Sequence, residues 1–376
     1  MAFLRGFQGL RWWLGGWRAW RAFYRAYATV PAYRQFIDAS GGVPVFGLKK
    51  DGMPDMTSLP EIDKESYVKK YPIAQRIVGG TLPSEGVTVD ESSGSSGQPT
   101  SWVRGRAERR ITSQMMRMTY RQSVQGGRQV FILNAFALGA WATGMNVSAS
   151  LTDSSILKST GPNADKIVST MKEFGPSFHY VIMGYPPFLK SLADDQRIDW
   201  ASHSVDAGYG GEGISESLRT YLQTRFKRVI GSYGASDLEV NMAIETDLTI
   251  ALRRAILADP ALRAAMIRTD YGVTPMIFQF NSLAYLFETN EKGELVVTMS
   301  RPIHLAPKIR YNIHDRGHAM NLKEFGGKLQ ALGHTALLAD LSRAAELPLL
   351  FIYVVSASSK MSMSRRASNT TAYDPQ

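Results

Sequence analysis

Cysteine is absent from the 376 residues of this sequence. Its absence excludes a disulfide scaffold, a thiolate nucleophile and metal sites that need thiolate ligands, and it favours a cytoplasmic protein. Acidic residues are scarce relative to basic ones, with 33 Asp and Glu against 43 Lys and Arg, so the formal net charge is +10. A basic excess of this size favours an anionic partner, such as a nucleotide, a nucleic acid or a membrane surface.

Long hydrophobic runs are also missing. The stretch 129–152 carries no charge, but it contains Asn134, Asn146 and two glycines. Its most apolar part, Val130 to Leu133, has the length of a strand and is too short for a membrane span. We therefore expect a buried strand followed by a loop of small residues, and no transmembrane helix.

Residues 1–40 are basic and aromatic, and we predict that they are helical. Aromatic residues at steps of three and four share one face of such a helix: Trp13, Trp17, Trp20, Tyr24 and Tyr27. Arg11, Arg18 and Arg25 fall seven apart on the opposite face. Arginines interrupt every apolar run, so we expect no signal peptide. The aromatic face either packs against the protein body or contacts a membrane surface through residues 1–28.

Residues 41–353 alternate short β-branched runs with helical patterns. A strand is predicted at 178–183 and a helix at 186–193, and a second helix at 215–226 precedes a strand at 228–230. This alternation predicts a large α/β domain with mixed, largely parallel sheets flanked by helices. Later strands are predicted at 294–299, 308–311 and 347–355.

A segment rich in serine and glycine occupies residues 90–100, which read Asp-Glu-Ser-Ser-Gly-Ser-Ser-Gly-Gln-Pro-Thr. Glycine lets backbone N–H groups turn toward a ligand, and closely spaced hydroxyls add donors, so this pattern is typical of a phosphate-binding loop. No Gly-Lys-Ser/Thr triplet follows, which excludes a Walker loop. A flexible linker is the alternative.

Other functional patterns are weaker. Residues 208–213 satisfy Gly-x-Gly-x-x-Gly, and Asp237 lies at a distance that suits a dinucleotide-binding fold. However, the preceding segment 199–206 is polar, whereas a central parallel strand is expected to be apolar. The basic amino terminus lacks the arrangement of an RNA-recognition sheet, so no nucleic-acid partner is expected.

Four segments, in order along the chain, resemble motifs of the acyl-adenylate-forming (AMP-forming) ligase superfamily. Residues 92–100 resemble its phosphate-binding loop, with Gln98 where the family usually has Lys. Gly210-Gly211-Glu212 resembles the segment beside the adenine. Residues 231–237 resemble Tyr-Gly-x-Ser/Thr-Glu, with Asp237 in place of Glu, and 310–315 resemble Arg-Tyr-Arg-Thr-Gly-Asp. The nearest branch is the phenylacetate–CoA ligase-like proteins.

The resemblance implies a large multi-layered adenylation domain that forms an acyl-adenylate from ATP and a small-molecule carboxylic acid, with Mg²⁺, and then a thioester with CoA. It assigns the ATP phosphates to Ser92, Ser93, Gly94, Ser95, Ser96 and Gly97. It assigns the adenine to Gly211, Glu212, Tyr233 and Gly234, the ribose to Asp315 and Mg²⁺ to Asp237. It assigns the acyl pocket to Phe136, Gly139 and Trp141.

These roles have local alternatives. Asp237 could cap a following helix, Asp315 could serve a turn, and Tyr233 could be an ordinary core residue. The resemblance requires the serines near Ser95 and the two carboxylates to converge around one triphosphate.

The sequence departs from the family after Tyr353. There the family continues into a Gly-Arg-x-Asp hinge and a small C-terminal domain that carries a catalytic lysine, whereas residues 354–376 are serine-rich and basic. We expect a disordered tail produced by frameshift or truncation, no assignable catalytic residue, and impaired activity. A non-catalytic nucleotide- or acyl-binding module and a membrane-surface protein are the alternatives.

Overall fold

A computed structural model describes residues 5–92, 100–123, 127–269 and 271–354. The described residues fall into two units. The first contains 5–88, 103–110 and 242–354, and the second contains 89–92, 100–102 and the described part of 111–241. None of the described helices combines the length and the hydropathy that crossing a bilayer requires.

The first unit begins with two helices, α1 (Gln8–Thr29) and α2 (Pro31–Ala39). Glycines and alanines make up much of the buried face of α1, together with Trp20 and Phe23, and the small residues let the helix approach the protein body closely. A β-carbon on Gly15 would overlap the carbonyl oxygen of Ser282. Arg11 differs from the prediction, because it is 2% exposed and donates a hydrogen bond of 2.7 Å to the carbonyl oxygen of Glu346.

Strands β1 (Val87–Ser92) and β2 (Thr100–Gly105) form a two-stranded sheet on either side of the serine-rich segment. Helix α3 (Arg106–Ser123) follows β2 directly. Short helical turns occupy Met56–Ser58, Lys64–Val68, Ile73–Arg76 and Thr152–Ser154.

The second unit is built on a parallel sheet of the order β7-β6-β5-β3-β4. Its strands are β3 (Val130–Asn134), β4 (Ile156–Ser159), β5 (His179–Gly184), β6 (Ser204–Gly210) and β7 (Val229–Tyr233). Its helices are α4 (Ala142–Leu151), α5 (Ala164–Phe174), α6 (Pro186–Ala193) and α7 (Glu216–Leu222). This alternation confirms the predicted α/β architecture with parallel strands.

The remaining part of the first unit is an antiparallel sheet of the order β10-β11-β12-β13-β9-β8. Its strands are β8 (Ala243–Ile244), β9 (Met276–Phe280), β10 (Tyr285–Thr289), β11 (Glu294–Met299), β12 (Tyr311–Met320) and β13 (Leu349–Val354). Helices α8 (Asp247–Ala258), α9 (Pro260–Met266), α10 (Leu322–Ala331) and α11 (Thr335–Arg343) belong to the same unit. A core that includes Leu252, Phe325 and Phe351 joins helices and sheet.

Two sequence predictions need correction. The strand predicted at 308–311 begins only at Tyr311, because Arg310 has a φ of 48°, which breaks the extended conformation. The polar segment 199–206 does enter a buried parallel strand, since β6 begins at Ser204. Gly208 and Gly210 of the Gly-x-Gly-x-x-Gly pattern lie within β6. A dinucleotide-binding motif has these glycines in the turn after the strand, so the structure argues against that motif. The predicted tail 355–376 lies outside the described residues.

Candidate functional site

The candidate site lies at the carboxyl ends of the parallel strands in the second unit. Strands β3, β5, β6 and β7 are neighbours in the sheet, and they end at Asn134, Gly184, Gly210 and Tyr233. Ligands of open α/β sheets bind outside the carboxyl ends of the strands, where the loops leave backbone groups accessible. The residues that follow these four strands are therefore the candidate binding residues.

The ends of β6 and β7 bring together the four residues predicted to contact adenine. Gly210 pairs with Ser232, so Gly211 and Glu212 follow one strand, while Tyr233 ends the other and Gly234 follows it. Gly211 has a φ of 82°, a left-handed conformation that favours glycine. A β-carbon on Gly210 would lie 3.2 Å from the Ser232 Oγ and 3.9 Å from the Phe136 ring. Their adjacency is observed, and their role in binding adenine stays a prediction.

The turn after β7 carries Asp237. Ala235 donates a backbone hydrogen bond of 3.0 Å to the carbonyl oxygen of Glu239, which folds residues 234–240 into a tight turn. Gly234 is required there, because a β-carbon would lie 2.6 Å from the carbonyl oxygen of Glu239. Asp237 is partly exposed in this turn and accepts a hydrogen bond of 3.5 Å from the Ser236 hydroxyl.

The interpretation of Asp237 as a helix cap is wrong. The next helix is α8, and Thr246 caps its amino terminus by accepting a hydrogen bond from the Thr249 amide. Tyr233 is buried, at 7% exposed, at the end of β7, which agrees with the alternative that it is an ordinary core residue.

Two buried residues, Glu239 and Arg219, hold this turn and the strand ends in place. The sequence analysis did not predict either of them. Thr112 of α3 donates a hydrogen bond to the buried carboxylate of Glu239. The guanidinium of Arg219, which is fully buried, donates to both oxygens of Glu216 at 3.1 Å and to the Tyr209 hydroxyl at 3.1 Å. Nothing in the local sequence distinguishes Arg219 from a surface arginine on a helix.

The residues predicted for the acyl pocket follow β3. Phe136 is 3% exposed, and its ring meets that of Tyr185 edge-on at 5.0 Å. The buried amide of Asn134 donates to the Gly144 carbonyl oxygen at 2.8 Å and thereby fixes the loop. Gly139 has a φ of 87°, and Trp141 is partly exposed at the start of α4. Only Phe136 is placed beside the end of β6.

Of the predicted phosphate-binding residues, Ser93, Gly94, Ser95, Ser96 and Gly97 lie outside the described residues. Ser92 ends β1. Next to it, the Glu91 amide donates a hydrogen bond of 2.9 Å to the Ala140 carbonyl oxygen, and Glu91 forms a bridge with Trp141. The strand that leads into the serine-rich segment is thus attached to the loop after β3.

Asp315 belongs to the first unit. It is 5% exposed within strand β12, so its interpretation as a turn residue is wrong. Its neighbour His314 has a φ of 60°, and the imidazole lies 3.3 Å from the carboxylates of both Asp63 and Glu294. The convergence of Asp315 with Ser95 and Asp237 stays a prediction.

Arg310, the first residue of the Arg-Tyr motif, is buried and bonded within the first unit. Its guanidinium donates to the Met56 carbonyl oxygen at 2.7 Å and to the Glu61 carboxylate at 3.2 Å. The buried carboxyl of Glu288 lies 3.8 Å away, and burial raises its pKa. Among the described residues, no group of three or more His, Asp or Glu side chains has an arrangement that suits a metal ion.

Comparison with known proteins gives one curated sequence relative. No family model matches the chain. The phenylacetate–coenzyme A ligase of Pseudomonas putida is 25% identical over 224 residues, which are 57% of this chain and 48% of that protein. The match therefore spans about half the length of the curated relative.

Solved structures support the fold over a larger part of the chain. 2-Hydroxyisobutyryl-CoA ligase in an open conformation, in complex with 2-HIB-AMP and CoA, has a TM-score of 0.60 at 14% identity, covering 80% of this chain and 68% of that one. The same ligase in its thioesterification state has a TM-score of 0.61 at 15% identity, covering 80% and 62%. This chain is thus similar in sequence to a phenylacetate–coenzyme A ligase over part of its length, and it has the fold of an acyl-adenylate-forming (AMP-forming) ligase.

Proposed function

We propose that this protein activates a small-molecule carboxylic acid as its acyl-adenylate, with ATP as the nucleotide, and transfers the acyl group to CoA. The observation that carries the proposal is the adjacency of the motif residues at the ends of β6 and β7, with Asp237 on the next turn. The phenylacetate–coenzyme A ligase relative and the ligase structures with 2-HIB-AMP and CoA support the same chemistry.

The proposed reaction has two displacements. A carboxylate oxygen attacks the α-phosphorus of ATP, and the bond to the bridging oxygen breaks as pyrophosphate leaves with the electron pair. The thiolate of CoA then attacks the acyl carbon, and AMP leaves. Negative charge grows on the departing pyrophosphate, so oriented donors supply most of the acceleration. In this proposal Ser92–Gly97 provide those donors, and Phe136 contacts the acyl group beside the nucleotide.

Asp237 fits a site for Mg²⁺. Its carboxylate is partly exposed at the carboxyl edge of the sheet, and the described residues offer no cluster of acidic ligands around it. Mg²⁺ usually takes one or two carboxylates together with substrate phosphates and water, so a single carboxylate beside a triphosphate is sufficient. Bound there, the ion would neutralise phosphate charge as pyrophosphate leaves.

The test is ATP–pyrophosphate exchange by the full chain against a panel of aromatic, fatty and amino acids. We expect exchange that depends on one class of acid, and a fall of about 100-fold in Asp237→Asn. Asp199→Asn is the matched control, because Asp199 is also a turn carboxylate, which accepts a hydrogen bond of 3.3 Å from the Ser202 amide, but it precedes β6. It should keep the wild-type rate.

Two outcomes contradict the proposal. Binding of ATP without exchange for any acid would indicate a non-catalytic binding module. Equal losses in Asp237→Asn and Asp199→Asn would indicate general destabilisation and not loss of a metal contact. The wild-type exchange itself is expected to be slow, because no lysine of this sequence matches the family's adenylation motif.

A further inference from the structure

Exposed apolar side chains are concentrated at the amino-terminal end of the first unit. Eight of the seventeen large hydrophobic residues that are exposed in the described chain fall between residues 7 and 48. They are Phe7, Leu10, Trp13, Tyr24, Val43, Val45, Phe46 and Leu48. We call them the amino-terminal patch. Val45, at 90% exposed, is the most exposed of them.

Ring contacts make the patch continuous. Trp17 lies between its members, with ring centroids 5.8 Å from Trp13 and 5.9 Å from Phe46. The Phe46 ring also lies 5.2 Å from that of Trp20. The indole of Trp13 donates a hydrogen bond of 3.2 Å to the Gly52 carbonyl oxygen, which holds the loop 43–52 beside α1. The helix and the loop therefore present a single surface.

The patch occupies the face of α1 opposite its small residues. At 100° per residue, Leu10, Trp17, Arg21 and Tyr24 point in similar directions, whereas the buried Ala19 and Ala22 point away from them. The 22-residue helix thus lies along the surface of its unit, held by a buried face that includes its small residues, Trp20 and Phe23. Its exposed aromatic and basic side chains are Trp13, Tyr24, Arg21 and Arg25. This is the geometry of an interfacial helix, which lies in the plane of a membrane.

Basic charge accompanies the apolar residues. Among the described residues, Arg18, Arg21 and Arg25 of α1 have no carboxylate within ion-pair distance. Arg21 and Arg25 are exposed, and Lys50 is exposed in the adjoining loop. Burial, together with repulsion from Arg301 and Arg21, lowers the pKa of Arg18. An anionic partner would supply the missing countercharge.

We propose that the amino-terminal patch docks on the surface of an anionic lipid bilayer. The tryptophan and tyrosine rings would enter the boundary between headgroups and acyl chains, where such rings are enriched. The arginines would contact lipid phosphates. A second copy of the chain is a less suitable occupant. A two-fold dimer would pair the patch with itself, so the arginines of the two copies would face and repel each other.

The experiment is co-sedimentation of the full chain with vesicles of phosphatidylcholine alone or of phosphatidylcholine mixed with phosphatidylglycerol. We expect binding to the anionic vesicles that weakens with salt. Arg21→Glu/Arg25→Glu should weaken it by at least about 30-fold, since each basic residue near such a surface contributes about a fivefold change. Leu10→Ser/Trp13→Ser should weaken it at all salt concentrations.

Matched controls carry the same chemical changes elsewhere. Arg225→Glu/Lys227→Glu makes the same charge change at exposed positions of the second unit, and Leu257→Ser removes a leucine that is 55% exposed. Both should bind like wild type. Circular dichroism should show equal folding of all variants.

Failure of the wild-type chain to bind anionic vesicles overturns the proposal, and so does equal binding by Arg21→Glu/Arg25→Glu. Sedimentation velocity measures whether the chain forms a dimer instead. A dimer that dissociates in Leu10→Ser/Trp13→Ser would assign the patch to a second copy, which also overturns the proposal. None of these measurements depends on ATP chemistry.

Discussion

Replacement of Arg219 by methionine tests how the candidate site is held. Arg219 is fully buried, and it donates to the buried carboxylate of Glu216, to the Tyr209 hydroxyl in β6 and to the Val229 carbonyl oxygen in β7. Removing the guanidinium leaves the Glu216 charge buried without its partner. Breaking a buried ion pair in this way typically costs about 3–5 kcal/mol of stability.

The matched control is Arg197→Met. Arg197 also pairs with carboxylates, Asp165 and Asp195, both at 2.7 Å, but its side chain is 51% exposed. Exposed pairs contribute about 0–1 kcal/mol, because solvent screens them. The double variant Arg219→Met/Glu216→Met should recover part of the loss, since it leaves no buried charge.

The assay combines urea unfolding with hydrogen exchange. In Arg219→Met we expect the free energy of unfolding to fall by at least about 3 kcal/mol, and the amides of β6 and β7 to lose protection first. Losses of similar size in Arg219→Met and Arg197→Met would refute the reasoning. So would unchanged protection of β6 and β7, because the strand ends would then be held by other contacts.

Two further predictions concern single residues. Gly234→Val should weaken ATP binding at least tenfold by isothermal titration, because its side chain would collide with the Val240 carbonyl group and displace the turn; Gly327→Ala, with open space around its β-carbon, should have no effect. Burial lowers the pKa of His318 to about 3, so the folded state keeps this ring neutral while the unfolded state takes up a proton below about pH 6.5. Stability should therefore fall as the pH decreases from 6.5 toward 3, by about 2 kcal/mol at pH 5 from this residue. Urea titrations of His318→Gln should lose that portion of the pH dependence, and an equal slope in both proteins would contradict the assignment.

Elements with strong local signals could be predicted from the sequence. The helix Pro186–Ala193 begins at a proline, which suits the first helical position, and the structure places it over the same residues. The strand Glu294–Met299 is rich in β-branched residues, and it also matches. In both cases the information lies within one segment.

Strand β6 could not be predicted this way, because its polar residues are satisfied by distant partners. Ser204 and Asp206 are buried in the strand, and they bond to the two ring nitrogens of His179 in β5 at 2.7 Å and 2.9 Å. The Arg228 amide donates to Asp206 at 3.0 Å. A segment that appears too polar for a central strand is acceptable when neighbouring strands pair each polar group.

The same limit applies to the candidate site. The motif residues predicted a site that the structure locates at the ends of β6 and β7, because glycine, tyrosine and aspartate form a recognisable local pattern. The sequence did not reveal Arg219 or Glu239, which act through contacts with residues 10 and 127 positions away. Long-range hydrogen bonds of this kind do not produce a periodic pattern of residues in the sequence, so they cannot be predicted from it.

The polar trio of His179, Ser204 and Asp206 has a consequence for how new specificity could arise. It secures β5 and β6 at their amino ends, on the side of the sheet away from Gly210 and Tyr185. Strand register is thus established independently of the loops at the other edge. Substitutions in the loops at that edge can therefore change the candidate site while β5 and β6 keep their pairing.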